Sequence, residues 1–509
     1  MDISVSSTIA ERVEKLSARF DAIEEKLSAV TETQSLHGEV QLQVAKLLQN
    51  IHTHQQLTLD RLGSIAGLAP NGENPVSKKD LDELEAAIKL EGQKRAVENH
   101  VLKQSAHLAL RNSMPVEMPI RCVFLVHSIP MWDALSDIYG RMLEDERFDP
   151  IVISVNSRPL GRGVFEGEDK VSAAFDAMGV AHLRFNMSES YSALDILKAL
   201  RPAAVFRQQQ WDGNLPPAFA TSELTFTRIC VVPYGMNILS RFDGEDSGPE
   251  VSPLAFDQVY HRAAWRIFCE TEMTQSYYRS FAHSDPSKFR LSGYPKLSSL
   301  LKCKGKGKWP LPEPKGKAYR VVWAPHYSLG KGGVGFGVFN LIFNSMVDWA
   351  REQKDIQFVL KPHPALFSDA LGAEQTAAIK KIWNAMANCA IEEQLYGELF
   401  DASDIMVTDG VSFLTEYHLF NKPLIFFDSG HHVRFNPLGK VAEACAHKVR
   451  TFAELRKTVI AYKNGKSWDK EKEVSKLLDI LVPNSDDPAT TILNTIAMDI
   501  VNEGGKHSA

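Results

Sequence analysis

The chain has 509 residues, of which 44% are hydrophobic and 24% are charged, and its formal net charge is -6. This length suits two globular domains and an additional segment, and the acidic balance provides no general attraction to nucleic acid. No run approaches the roughly 20 apolar residues that cross a bilayer, and the N-terminus lacks the regions of a signal peptide. We therefore expect a cytoplasmic protein whose contact with the plasma membrane is at most peripheral, at its inner face.

The cysteines lack the close pairs of zinc sites and redox motifs. They stand singly at Cys122, Cys230, Cys269, Cys303, Cys389 and Cys445. We expect reduced, mostly buried thiols, and we predict no metal site.

Residues 1–62 have the heptad pattern of a coiled coil. Apolar residues recur in 4-3 spacing and resume after one irregular step, at Ile9, Val13, Leu16, Phe20, Ile23, Leu27 and Val30, then at Val40, Val44, Leu47 and Ile51. Such a stripe needs a partner helix, so we predict a homo-oligomer, with a helical hairpin within one chain as the alternative. Residues 63–118 follow as a hinge, Gly63–Pro75, and a second helix that starts near Ser77.

From residue 119 the pattern changes to alternating strands and helices, which is typical of doubly wound α/β domains. The first domain, 119–301, has strand candidates at Arg121–Val126, Pro150–Val155, Ala203–Arg207, Arg228–Val232 and Arg266–Glu270. A linker rich in Gly, Pro and Lys spans 302–317. The second domain, 318–485, has strand candidates at Tyr319–Trp323, Ile356–Leu360, Ile405–Val407 and Pro423–Phe427. The tail, 486–509, contains a closing helix.

The predicted fold is therefore two facing Rossmann-like domains preceded by an α-helical coiled coil. Two such domains form a cleft between the carboxyl ends of their sheets, where ligands of α/β proteins bind. Candidate functional residues are expected where strands end.

Two polar segments follow strands of the second domain. Trp323–Tyr327 (WAPHY) contains His326 and precedes the glycine-rich stretch Gly330–Gly337, whose N–H groups can approach a phosphate; a surface loop is the alternative. Lys361 and His363 follow the next strand in the sequence KPHP. Together they can stabilise charge on a diphosphate without a metal, whereas a hydrogen-bonded turn histidine is the alternative.

A third segment, Val407–Glu416 (VTDGVSFLTE), reads as a strand, a tight turn and a helix start. Free N–H groups at that start and the hydroxyl of Ser412 can bind an anion, and Glu416 can reach a ribose hydroxyl. The polar residues of the turn can instead cap the helix. The predicted donor-binding residues are His326, Lys361, Thr408, Asp409, Gly410, Ser412 and Glu416.

A fourth segment, Phe426–His432 (FFDSGHH), is expected at the rim of the pocket, and its paired histidines lack the spacing of a zinc site. In the first domain His127 follows the first strand, and Asp212 follows the strand that ends near Arg207. Either side chain can act as the base that deprotonates an acceptor hydroxyl. The predicted catalytic residues are His363, His127 and Asp212.

These motifs together resemble the CDP-glycerol glycerophosphotransferase family, the teichoic-acid and capsule polymerases of GT-B architecture. The resemblance covers roughly 119–457 and rests on Gly293–Lys296 (GYPK), Lys361–Pro364 (KPHP), Thr408–Glu416 and Asn421–Phe427 (NKPLIFF). It implies that His363 and Ser412 contact the donor phosphates and that Glu416 contacts the ribose.

The chain departs from the family pattern at two positions. Val411 replaces one of two paired serines, and Tyr234-Gly235 stands where the family has a His-Gly element with its catalytic base. The segment Trp323–Tyr327 is similar to the form found in capsule and lipopolysaccharide members. The transferred unit is therefore either glycerol phosphate or a sugar.

The leading hypothesis is a metal-independent transferase that moves this unit from a CDP- or UDP-linked donor to a surface glycopolymer, either capsule, teichoic-acid-like or lipopolysaccharide. The donor is a substrate, and no cofactor is expected. One alternative is a nucleotide-sugar epimerase or hydrolase of similar fold. The other is a non-catalytic coiled-coil scaffold, which the missing histidine at Tyr234 favours.

Overall fold

The structure is a computed structural model. It describes residues 78–113, 117–158, 163–187, 190–240, 250–281, 283–313, 316, 318–330, 333–394, 396–482 and 487–506. The predicted coiled coil at 1–62 and the hinge at Gly63–Pro75 lie outside the described residues.

The chain divides into two compact units, Met1–Ser113 and Met114–Ala509. The described part of the first unit is one helix, α1, of 36 residues at Lys78–Ser113. It begins directly after Ser77. No helix in the described ranges combines the length and the apolar character that a bilayer crossing requires.

The second unit contains two parallel sheets, and the first has seven strands in the order β3-β2-β1-β4-β5-β6-β7. The strands are β1 Ile120–Val126, β2 Phe148–Val155, β3 His182–Phe185, β4 Ala204–Arg207, β5 Arg228–Val231, β6 Arg266–Cys269 and β7 Phe289–Leu291. The helices are α2 Ile129–Leu143, α3 Glu168–Met178, α4 Ser190–Ala199, α5 Thr221–Leu224, α6 Pro253–Phe256, α7 Val259–Ala263, α8 Glu272–Arg279 and α9 Pro295–Leu301. Short 3₁₀ turns lie at Asp212–Asn214, Pro217–Phe219 and Pro286–Lys288.

The second sheet has six strands in the order β10-β9-β8-β11-β12-β13. They are β8 Tyr319–Ala324, β9 Ile356–Leu360, β10 Cys389–Ile391, β11 Ile405–Thr408, β12 Leu424–Phe427 and β13 His447–Val449. The helices are α10 Phe339–Glu352, α11 Ala373–Asn384, α12 Gly397–Ala402, α13 Phe413–Glu416, α14 Pro437–Ala444, α15 Phe452–Lys463, α16 Glu471–Leu481 and α17 Pro488–Lys506. A π-helical turn at Leu366–Ala370 and a 3₁₀ turn at Tyr417–Phe420 complete the set.

Both sheets form because their central strands are apolar runs that helices cover on both faces. All five residues of β9 are buried, and in β1 only Arg121 is partly exposed. Every strand in each sheet pairs with its neighbours in parallel. The two Rossmann-like domains that the sequence predicts are therefore present. All six cysteines are free thiols, five of them buried and Cys303 partly exposed.

The final helix, α17, returns to the first domain. Its residues Ala489, Ile492 and Ile496 are fully buried in the same apolar cluster as β1 and β4. Asp499 of this helix forms ion pairs with Arg266 of β6 at 2.6 Å and with Arg290 of the edge strand β7 at 3.0 Å. The first domain is thus completed by the last residues that the structure describes.

The two domains share one apolar cluster, and the segment after β5 is held directly by the second domain. Ile238 and Leu239 pack in the same cluster as Phe435 and Leu438. The backbone of Ile238 accepts a hydrogen bond from Asn436 N at 3.0 Å. This contact fixes the domains with the carboxyl ends of their strands around a common space.

Candidate functional site

A cavity of about 290 Å³ lies between the two domains, where loops follow the strands of both sheets. The first domain contributes the start of α2 and two single residues, Tyr234 and Lys296. The second contributes residues after β8, β9, β10 and β11. The cavity therefore occupies the position at which doubly wound folds bind ligands. Six predicted residues line it: His326, Lys361, His363, Thr408, Gly410 and Ser412.

His363 is held by backbone contacts that orient its ring. Its N–H donates to Pro325 O at 3.0 Å, and its Nδ1 accepts from the N–H of Ala365 at 3.1 Å. The neutral ring therefore carries its proton on Nε2, where it can donate to a ligand. The side chain of His363 is exposed at the cavity, and desolvation by the surrounding protein together with the ammonium groups of Lys361 and Lys296 lowers its pKa to about 4. His363 is thus a neutral hydrogen-bond donor at pH 7 until an anion binds.

Lys361 provides a buried ammonium group on the same wall. Its side chain is 4% exposed, and burial lowers its pKa to about 8. Its Nζ lies 5.7 Å from the centre of the Tyr396 ring. Within the described part of the chain the ammonium group makes neither a hydrogen bond nor an ion pair. An anion in the cavity would supply the missing partner.

His326 has a supporting position beside His363, with ring centres 5.2 Å apart. Its Nδ1 is engaged by Ser328, whose N–H donates to it at 3.2 Å. Burial and the neighbouring His363 lower its pKa well below the ordinary value. His326 is therefore neutral and lines the base of the cavity.

Thr408 and Asp409 build the site and do not reach into it with free polar groups. Thr408 Oγ1 donates to Ala324 O at 2.8 Å, and the two oxygens of Asp409 accept the N–H groups of His326 and Val338, each at 2.6 Å. Burial raises the pKa of Asp409 to about 7. Asp409 is absent from the cavity lining, so its predicted contact with the donor is replaced by a structural role.

Ser412 faces the cavity, but the predicted helix start is short. α13 is a single turn of four residues, and the Ser412 hydroxyl makes no capping hydrogen bond. Val411 and Phe413 line the cavity beside it. A helix dipole contributes little over one turn, so the anion contacts here are the hydroxyl and the local N–H groups.

Glu416 departs from the prediction that it contacts a ribose. Its side chain is completely buried and does not line the cavity. One oxygen lies 3.0 Å from Lys296 Nζ, and the other accepts the Tyr396 hydroxyl at 2.9 Å. Glu416 therefore holds the cavity residues Lys296 and Tyr396 in place, the first by an ion pair and the second by a hydrogen bond.

The two bases predicted in the first domain are also engaged elsewhere. His127 Nε2 lies 2.6 Å from Gln209 Nε2, and burial together with Arg207 lowers its pKa to about 3. Asp212 accepts from Arg207 Nη1 at 2.6 Å and from the Thr221 hydroxyl at 2.7 Å. Neither side chain lines the cavity. The structure therefore separates both from the predicted donor site.

The described residues of the glycine-rich stretch, Gly330 and 333–337, do not line the cavity, and Gly335 and Phe336 pack against the fourth segment. Gly335 has φ +65°, and a side chain there would approach His431 O to 2.9 Å. At Gly337 a side chain would approach His326 O to 2.8 Å. The ring of Phe336 stacks on His432 with centres 4.4 Å apart. These glycines allow close packing behind the site.

The lining residues that the sequence did not predict as site residues include Asp133, Tyr234, Lys296 and Tyr396. Tyr234 and Lys296 lie in segments that the family resemblance marked. The sequence therefore drew attention to both residues but did not indicate what their side chains do. Asp133 lies in α2 next to the buried Trp132. Its position follows from where α2 starts, which sequence periodicity does not fix.

The fold is that of the two-domain GT-B class. The UDP complex of MnaA from S. aureus superposes with a TM-score of 0.50 at 13% identity, covering 74% of this chain and 96% of that chain. A variant of the wall teichoic acid polymerase TagF gives a TM-score of 0.50 at 16% identity, with 82% and 97% covered. At such identities these likenesses establish the fold alone.

The sequence resemblance is confirmed in the C-terminal half of the chain. Residues 242–490 match the family model "CDP-Glycerol:Poly(glycerophosphate) glycerophosphotransferase". No curated protein sequence matches the chain. The matched segment includes Lys296, Lys361, His363 and Ser412, so the family pattern contains most of the polar residues of the cavity.

Proposed function

We propose that the chain transfers a glycerol-phosphate or sugar unit from a CDP- or UDP-linked donor to a hydroxyl of a surface glycopolymer. The observation that carries this proposal is the unpaired ammonium of Lys361 beside the Nε2–H of His363 and the hydroxyl of Ser412. The family match to a CDP-glycerol-dependent transferase supports it.

Charge balance favours an anionic ligand. Lys296 is neutralised by Glu416 at 3.0 Å, whereas Lys361 has no partner in the described part of the chain. A buried charge without a partner is costly, and a diphosphate would offset that cost through charge-assisted hydrogen bonds. A scaffold that had lost its substrate would gain nothing from keeping this ammonium buried.

The transfer follows one of two balanced routes. With CDP-glycerol, the acceptor oxygen bonds to the phosphorus that bears glycerol, and CMP leaves with the electrons of the broken P–O bond. With a nucleotide sugar, the acceptor oxygen bonds to the anomeric carbon, and the nucleoside diphosphate leaves. In both routes charge grows on the leaving phosphate, where Lys361 and His363 stabilise it most in the transition state.

We propose further that the acceptor is a capsule, teichoic-acid-like or lipopolysaccharide polymer and that the transfer needs no metal ion. We also propose that the protein contacts the membrane peripherally and that copies of the chain associate through the coiled coil. The identity of the acceptor polymer and the association through residues 1–62 stay predictions. They do not alter the roles of the cavity residues.

His363→Ala tests the function directly. We expect it to lower nucleotide release from CDP-glycerol in the presence of poly(glycerophosphate) by about 10²–10³-fold, the usual effect of removing one transition-state donor. The unfolding midpoint should stay close to that of the wild type. His283→Ala, an exposed histidine paired with Asp257, is the matched control and should retain full activity.

The donor set for this assay includes UDP-linked sugars, and product transfer is measured together with nucleotide release. Release that proceeds equally well without an acceptor would indicate a hydrolase or epimerase. Turnover of His363→Ala at the wild-type rate would contradict the assigned role.

A further inference from the structure

The cavity contains one carboxylate on the first-domain wall, that of Asp133 in α2. Its helix starts directly after β1, so the side chain lies at the end of the strands where the acceptor domain meets the donor site. Within the described residues this carboxylate makes no hydrogen bond or ion pair. Lys296, the cation that lowers the pKa of Asp133 most, is already paired with Glu416.

The other groups near the cavity that could accept a proton are engaged or lie on the donor wall. Asp369, a carboxylate of the second-domain wall, accepts the Ser368 hydroxyl at 2.6 Å. His127 is bound to Gln209, and Asp212 is bound to Arg207. The hydroxyl of Tyr234 accepts from Trp211, and burial raises its pKa, so it does not ionise near neutral pH. His363 lies beside two ammonium groups on the donor wall.

We propose, on the basis of the function proposed above, that Asp133 is the general base that receives the proton of the acceptor hydroxyl. As the new bond from the acceptor oxygen to phosphorus or carbon forms, the hydroxyl proton passes to the Asp133 carboxylate. The bond to the nucleotide leaving group breaks in the same step, and its electron pair departs with the phosphate. The proton then passes from Asp133 to solvent.

The surroundings of Asp133 suit this role. Burial raises its pKa, an effect that the charges of Lys296 and Lys361 oppose and that of Glu416 reinforces. A base whose pKa is raised towards the working pH accepts a proton more readily in the transition state. An anionic donor on Lys361 would add a further negative charge and strengthen the base. This arrangement also accounts for a site that works without the family's histidine at Tyr234.

Asp133→Asn tests the assignment, because amide and carboxylate have the same shape. Nucleotide release from CDP-glycerol with poly(glycerophosphate), or from the UDP-sugar that the wild type uses, should fall by about 10²–10⁴-fold. Affinity for the free nucleotide should stay the same or rise, because the substitution removes a negative charge near the bound anion. Asp133→Glu should recover part of the activity, and its rate should still fall at acid pH as the carboxylate becomes protonated. The residual rate of Asp133→Asn should not fall in this way, because the amide does not titrate. Asp137→Asn, in the same helix and paired with Lys302, is the control.

The outcomes separate the two proposals. Asp133→Asn with wild-type turnover overturns the assignment and leaves the function standing. Loss of nucleotide affinity in parallel with turnover also overturns it, because Asp133 would then be a structural residue. A wild type that binds and releases no nucleotide overturns the proposed function, and the role of Asp133 with it.

Discussion

At the scale of single residues, the cavity depends on which charges are paired and which are not. Glu416 neutralises Lys296, and Asp409 ties two backbone segments together. Among the described residues, the ammonium of Lys361 and the carboxylate of Asp133 have no hydrogen bond or ion pair. The sequence predicts Lys361, His363 and Ser412 at the site because they follow strands in a family motif. It could not predict that Glu416 turns inward, because that depends on Lys296 and Tyr396, which are distant in sequence.

Replacing Lys361 with Met is expected to stabilise the protein without ligand. The pKa of Lys361 is near 10.5 in the unfolded chain and about 8 in the fold, so the penalty for burying the charge is complete below pH 8. It disappears as pH rises from 8 to 10.5. We expect a gain of roughly 1–3 kcal/mol in the free energy of unfolding at pH 7, and a smaller gain at pH 9.5.

Urea denaturation at the two pH values measures this gain. Lys381→Met, at an exposed position of α11, is the control and should change little. A loss of stability in Lys361→Met at pH 7 would contradict the account, since it would mean that the ammonium is already paired in the free protein.

At the scale of elements, the buried central strands were predicted within about two residues of their observed ends, whereas four edge or near-edge strands were missed. These are β3, β7, β10 and β13, which have three or four residues each. In β3 the residues Leu183 and Arg184 are exposed, and in β13 Lys448 is exposed. An edge strand is partly exposed to solvent, so its residues need not form a continuous apolar run. The hydrophobic pattern of the sequence alone therefore does not reveal it. Such strands form because the neighbouring strand is already in place.

Glu270, at the end of β6, makes the junction between β6 and α8 sensitive to pH. Its side chain is 1% exposed, and neither oxygen has a well-formed hydrogen bond. Burial raises its pKa from an ordinary value of 4.5 to about 7. Because the folded state binds this proton more tightly than the unfolded chain, the stability it provides is complete below pH 4.5 and lost as pH rises through 7.

At pH 8 the free energy of unfolding of Glu270→Gln should therefore exceed that of the wild type by roughly 1–3 kcal/mol. At pH 5 the two free energies should be nearly equal. Chemical denaturation at both pH values measures the difference. The exposed Glu144→Gln serves as control. An equal effect of Glu270→Gln at pH 5 and pH 8 would show that the carboxyl group does not titrate between them.

At the scale of the whole molecule, the site exists because the two domains are fixed against each other. The segment from Met236 to Leu239 packs into a cluster of second-domain residues, and α17 returns from the far end of the chain to complete the first domain. Two domains and their order could be predicted from the alternation of strands and helices. The residues that face each other across the cavity, Asp133 and Lys361 among them, could not, because their proximity arises only from domain packing.

The central claim is that the cavity binds a nucleotide diphosphate through Lys361. Calorimetric titration of CDP and UDP into the wild type and into Lys361→Met tests it most directly. The account predicts saturable binding of one of the two nucleotides to the wild type. It also predicts affinity weakened about 10- to 100-fold in the variant, as expected for the loss of a charged hydrogen bond worth roughly 1.5–3 kcal/mol. Equal affinities in the two proteins, or no binding of either nucleotide to the wild type, would contradict it.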